Sequence, residues 1–190
     1  MTLACKKTSV RESAAQWNLD ALVEAYDGSP LVEEALGYKQ AGFCGMKLKV
    51  GYDLRTDLSY IRAIREAIGN DLYLMVDANH AYNASEAIRL ARGMEPYDVY
   101  WFEEALQPDN LRDFVTLREH SPVKITGGEV LTRREAFTPF LTQGAFDIVQ
   151  PDVTKVGGIT ESRRIAWMAQ EHGVQLIPHG WNTAVGLATD

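Results

Sequence analysis

The chain has 190 residues, 46% of them hydrophobic, and a formal net charge of −7. That balance describes one soluble globular domain, and the acidity, with no basic cluster to reverse it, argues against nucleic acid as a partner. No uninterrupted apolar run is long enough to span a bilayer, no signal-peptide core is present, and Cys5 and Cys44 are unpatterned and read as reduced thiols. A cytoplasmic protein without a membrane partner is expected.

Residues 1–21 are polar, with at most a short helix over Ser13–Leu22. Leu22–Tyr26 is a predicted strand ended by Asp27-Gly28-Ser29-Pro30, and Pro30 suits the first turn of a helix reaching Ala41. The next strand, Gly45-Met46-Lys47-Leu48-Lys49-Val50-Gly51, puts Lys47 and Lys49 on one face. At roughly 6 Å and an effective dielectric of about 20, their mutual repulsion is about 2.8 kcal/mol, or about two pKa units. That would bring one lysine towards neutrality, where it serves as a base; alone, the pair also suits a solvated strand edge.

Asp53–Ile68 is a helix with apolar Leu58, Ile61, Ile64 and Ile68 and a stop at Gly69-Asn70. Further strands are predicted at Leu72–Val76, Val99–Phe102, Val123–Thr126, Phe146–Val149 and Val174–Ile177. Helices fall between them at Ala84–Gly93, Leu111–Glu119, Arg133–Thr142 and Glu161–Glu171. This alternation predicts right-handed βαβ units and a parallel sheet. Seven near-continuous apolar strands favour a (β/α) TIM-type barrel of the α/β class, and no Gly-x-Gly-x-x-Gly supports a dinucleotide fold.

Lys49, Asp77, Glu103, Glu129, Asp152 and His179 each stand at or just after a predicted strand end, spaced 28, 26, 26, 23 and 27 residues apart. In a barrel these positions converge on one mouth. Asp77, Glu103 and Glu129 make a hard, oxygen-rich set suited to Mg²⁺, with no His or Cys beside them to favour zinc. Such a metal holds a substrate carboxylate and stabilises the charge left when its α-proton departs. Lys49 is the candidate base on one flank, and His179, oriented by Asp152, stands on the other. Two bases permit racemisation; a base and an acid permit β-elimination of water.

The Lys-x-Lys strand, Val76-Asp77-Ala78-Asn79, Trp101-Phe102-Glu103-Glu104, Gly127-Gly128-Glu129, Gln150-Pro151-Asp152 and Lys155-Val156-Gly157-Gly158 together resemble the enolase superfamily, within it the mandelate racemase group. The resemblance runs over residues 22–190 as a partial barrel catalytic domain, with residues 1–21 as a remnant of a capping region. It implies Mg²⁺ on Asp77, Glu103 and Glu129, Lys49 as one acid/base, Lys47 neutralising the substrate carboxylate, and the His179–Asp152 dyad opposite, with Glu104 turned away from the metal. Asp152 stands where muconate-lactonizing and dipeptide-epimerase relatives carry a second lysine, which favours acid-sugar dehydratases and leaves Lys155 to support its loop. The implied enzyme is a homo-oligomeric hydro-lyase acting on a sugar acid. Trp181 and Asn182 would wall the substrate; Asn79, His80 and Tyr82 suit sugar hydroxyls or loop packing. A 2-hydroxy-acid racemase or epimerase uses the same parts. The family's eighth strand has no counterpart in these residues and only the last remnant of its capping domain fits in residues 1–21, so an inactive barrel fragment or non-catalytic subunit is a further expectation.

Overall fold

The computed structural model describes residues 2–6, 29–180 and 183–189. The short helix at 13–22 and the strand at 22–26 expected from the sequence lie outside these residues. Strand β1 (Thr2–Lys6) is followed by α1 (Ser29–Gln40), β2 (Phe43–Lys49), α2 (Leu54–Ile68), β3 (Tyr73–Asp77) and α3 (Ala84–Met94). Next come β4 (Val99–Glu103), α4 (Leu111–His120), β5 (Lys124–Gly127), α5 (Arg133–Thr142) and β6 (Ile148–Val149). The described chain finishes with α6 (Val153–Val156), α7 (Ile159–Glu171), β7 (Gln175–Leu176) and α8 (Ala184–Thr189).

The strands form one sheet in the order β1 to β7. Strands β2 to β7 are parallel, each paired with the next in sequence. Consecutive neighbours joined by helices are the winding of a TIM-type (β/α) barrel; a doubly wound sheet would reverse its strand order. The architecture is therefore part of such a barrel. Strand β1 was not predicted: it pairs antiparallel with β2 at the sheet's edge, Thr2 opposite Lys47 and Lys6 opposite Phe43.

Alternation along the strands sorts side chains between two environments. Met46, Leu48, Leu74, Val76, Phe102 and Ile125 face the helices, against Ile61, Ile64, Leu90, Phe114, Phe137 and Ile165. Phe114, Phe140 and Phe146 fill the space under α4 and α5, the last two stacked with centroids 5.0 Å apart. The other face carries a smaller apolar cluster of Met75, Trp101 and Ile148. Two residues further along β3 and β4 that same face becomes charged, and register aligns Lys49 with Asp77 and Asp77 with Glu103.

Helix α2 shows how local sequence secures these units. Asp53 is its N-cap, accepting hydrogen bonds from the Arg55 and Thr56 amides at 3.0 Å and from the Thr56 hydroxyl at 2.7 Å. These satisfy amide groups that the first turn leaves without helical partners. Asp53→Ala is expected to cost about 1 kcal/mol in urea unfolding; an unchanged midpoint would mean the cap contributes nothing.

Candidate active site

Lys47 is buried between two carboxylates. Its ammonium donates to Glu103 Oε1 and lies 3.2 Å from Asp77 Oδ2. Burial alone would lower the Lys47 pKa, but the charges of Glu103 and Asp77 outweigh it and hold the ammonium above the usual lysine range. The repulsion expected between Lys47 and Lys49 therefore does not bring Lys47 towards neutrality, because carboxylates from β3 and β4 reach it. Lys49 lies 2.5 Å from Asp77 Oδ2, donates to Asn79 Oδ1, and keeps 35% of its side chain exposed. Burial pushes the Asp77 carboxyl up, but the charges of Lys47 and Lys49 hold it below the ordinary range.

Glu103 is fully buried, and its second oxygen accepts from Trp101 Nε1 at 2.9 Å and Gln150 Nε2 at 3.0 Å. Neither donor was singled out in the sequence, although strand alternation offered a signal. Trp101 stands two residues before Glu103 on β4, so the two share a face, whereas Gln150 lies past the end of β6, where alternation gives no such signal.

The second cluster forms at the far strand ends. His179 Nδ1 lies 2.9 Å from Asp152 Oδ2, and its Nε2 lies 3.0 Å from Glu129 Oε2. Asp152 is also the N-cap of α6, accepting from the Thr154 amide at 2.8 Å and hydroxyl at 2.5 Å. Lys155 approaches the same carboxylate at 3.6 Å. Burial works to raise the Asp152 carboxyl, but the hydrogen bonds from Thr154 and His179 and the charge of Lys155 hold it at about 2. A carboxyl depressed in the fold stabilises it above the unfolded pKa, near 3.8, and that stability is lost as pH falls towards 2. Asp152→Asn is therefore expected to flatten the pH dependence of the urea midpoint between about pH 4 and 2; an unchanged acid limb would contradict this.

Asp77, Glu103 and Glu129 offer the oxygen donors that Mg²⁺ takes, on three neighbouring strand ends. Their chemistry fits the ion, but no group of three such donors is drawn together among the described residues. Asp77 and Glu103 instead close on Lys47, and Glu129 turns to His179. Positively charged or proton-bearing nitrogens thus hold the carboxylates whose charges would otherwise repel.

The remaining candidates divide. Asn79 joins the lysine cluster through Lys49, its own amide donating to Asp77 Oδ1 at 3.1 Å. Tyr82 does not face a substrate: it is buried against Phe102, and its hydroxyl donates to Asp57. Glu104 turns from the Glu103 cluster to the Gly128 amide, at 2.6 Å. Gly128 has φ of 111°, and a Cβ there would meet the Phe137 ring at 2.8 Å, so only glycine suits this approach. Trp181 and Asn182 lie outside the described residues.

Residues 30–190 match the family model described as enolase C-terminal domain-like. The chain belongs to that family. The resemblance to the enolase superfamily read from the motifs is therefore borne out. D-galactarolactone cycloisomerase of Agrobacterium fabrum is 42% identical over 147 residues, covering 77% of this chain and 39% of that protein. Arabinonate dehydratase of Saccharolobus solfataricus is 38% identical over 157 residues, covering 82% of this chain and 42% of that protein. The chain thus spans about two fifths of the length of these relatives. Among solved structures, the 3,6-anhydro-D-galactonate cycloisomerase of Zobellia galactanivorans superposes with a TM-score of 0.84 at 44% identity, covering 86% of this chain and 47% of that one. L-Talarate dehydratase of Polaromonas sp. JS666, solved with Mg and L-glucarate, gives 0.79 at 33% identity, covering 85% and 46%. The enolase-superfamily relatives are accordingly sugar-acid dehydratases and cycloisomerases. No helix among the described residues is long and apolar enough to cross a membrane.

Proposed function

We propose that this chain carries the catalytic machinery of a Mg²⁺-dependent sugar-acid dehydratase. The observation that carries the reading is the His179–Asp152 dyad on one side of the three carboxylates in strand order and Lys49 on the other. Asp77, Glu103 and Glu129 would hold Mg²⁺, which when bound supplies a Lewis acid for the substrate carboxylate. For that, the lysines must yield Asp77 and Glu103, and His179 must release Glu129.

Lys47 then pairs with the substrate carboxylate, exchanging one carboxylate partner for another. Lys49, as the free amine, takes the α-proton and becomes an ammonium. His179 keeps Nδ1–H on Asp152 and gives its Nε2 proton to the departing β-hydroxyl, which leaves as water. The resulting enol tautomerises to a 2-keto-3-deoxy sugar acid. A homo-oligomeric, cytoplasmic protein belongs to the same reading, tested by light scattering and cell fractionation.

The test is NMR of a sugar-acid panel in D₂O with Mg²⁺. A keto acid made by the wild type and absent with His179→Ala supports the dehydratase. A second reading, racemisation or epimerisation of a 2-hydroxy acid, follows from the same flanking placement of two bases; α-deuteration with hydroxyls retained and no keto acid would establish it instead.

A further inference from the structure

Asp57 is a buried carboxylate that the proposed reaction leaves unused. It stands in the first turn of α2, wholly removed from solvent. Its Oδ2 accepts from the Gly51 amide at 3.1 Å and from the Tyr82 hydroxyl, and its Oδ1 from the Tyr52 amide at 3.5 Å. Burial raises this carboxyl above its ordinary range, and the hydrogen bonds oppose that effect without cancelling it. A buried carboxylate held by neutral donors contributes little to stability, so its placement calls for another reason.

The three donors share a location. Gly51 and Tyr52 follow Lys49 at the end of β2, and Tyr82 closes the loop after β3 that carries Asn79, which accepts from Lys49. The two loops already touch. Gly51 has φ of 119°, and a Cβ there would come within 2.7 Å of the Ala81 Cβ and 3.2 Å of the Ala78 carbonyl, so only glycine allows the approach. The Val50 amide donates to the Asp77 carbonyl at 2.9 Å. Asn79 and His80 take left-handed φ of 44° and 69°, conformations that persist where neighbours hold them. Tyr82 is fixed from behind, its amide donating to the Ala105 carbonyl at 3.2 Å and its ring packed edge-on against Phe102. Asp57 thus ties the start of α2 to both loops at once.

We propose that Asp57 is a positioning residue for Lys49: through the Gly51 amide and the Tyr82 hydroxyl it locks the β2 and β3 loops together and so fixes where the Lys49 nitrogen sits. This rests on the reading of Lys49 as the base and adds two residues to its machinery. Neither Asp57 nor Tyr82 touches substrate. They act through the backbone that follows Lys49 and through the loop that presents Asn79.

The test pairs steady-state kinetics on the sugar acid that wild type converts with the Lys49 side-chain ¹H–¹³C NMR signal, assigned by its loss in Lys49→Met and read without substrate. Tyr82→Phe removes only the hydroxyl and keeps the ring on Phe102. It is expected to lower kcat by about 10- to 10²-fold, the scale of a displaced reacting group, with KM within about twofold and the Lys49 signal moved. Asp57→Ala should do the same, and Asp57→Asn, which keeps one acceptor oxygen, should lose less. Should Asp57→Ala not fold, Tyr82→Phe carries the test alone. Asp53→Ala loosens the same helix end through exposed bonds and should leave kcat and the Lys49 signal as in wild type. A kcat within about twofold of wild type in Tyr82→Phe, a rise in KM alone, or equal changes from Asp53→Ala would overturn the assignment. If wild type converts no sugar acid, the dehydratase reading falls and the Lys49 signal decides the latch by itself: moved in Tyr82→Phe it stands, unmoved it is overturned.

Discussion

Lys49→Met is expected to lower the proposed sugar-acid turnover by about 10²- to 10⁴-fold, the range set by loss of a positioned general base. Methionine keeps the length and apolar stem of the side chain but removes the nitrogen that would take the α-proton. The fold should tolerate the change. Lys49 is the more exposed of the two lysines, and Asp77 retains Lys47 at 3.2 Å and the Asn79 amide at 3.1 Å. The effect should therefore fall on kcat, with the urea midpoint moving little. Turnover within about tenfold of wild type would dismiss Lys49 as the base.

Glu103→Leu has the largest expected effect on stability, about 3–5 kcal/mol in urea unfolding. The carboxylate is fully buried, and removing it strands the Lys47 ammonium with only Asp77 as a partner. It also leaves Trp101 Nε1 and Gln150 Nε2 without their acceptor. Each buried group so orphaned carries a desolvation penalty of its own. Glu103→Leu combined with Lys47→Met should recover part of the loss, because the uncompensated charge goes as well. A single-variant cost below about 1 kcal/mol would show that the Lys47–Glu103 pair is not coupled in the fold.

Much of the architecture was legible because hydrophobic period and punctuation agree. Arg133–Thr142 was placed at both ends, and Asp53 and Gly69 bracket α2 as its capping chemistry requires. Strand β1 was not legible: it pairs antiparallel with a segment some forty residues away, and no local pattern encodes that partner. Strands β6 and β7 shrink to two residues each, since apolar content does not reveal where ladder bonds stop.

The candidate site was read through its spacing, one polar residue per strand end. Its internal pairing was not. Lys47 and Lys49 are neighbours in sequence and so were weighed against each other, whereas the partner that governs Lys47 lies 56 residues away on β4. Likewise the Glu129–His179 contact joins two loops whose side chains were assigned separate roles. Chain order fixes which residues reach the mouth, but pairing there depends on electrostatics across strands.

The most direct measurement of the central claim is loss of the α-proton signal of a sugar acid in D₂O, followed by ¹H NMR with and without Mg²⁺. The account expects the signal to disappear as keto acid forms, only with the metal present, and to persist with Lys49→Met. Loss of the signal without Mg²⁺, or undiminished loss in the Lys49 variant, would contradict it.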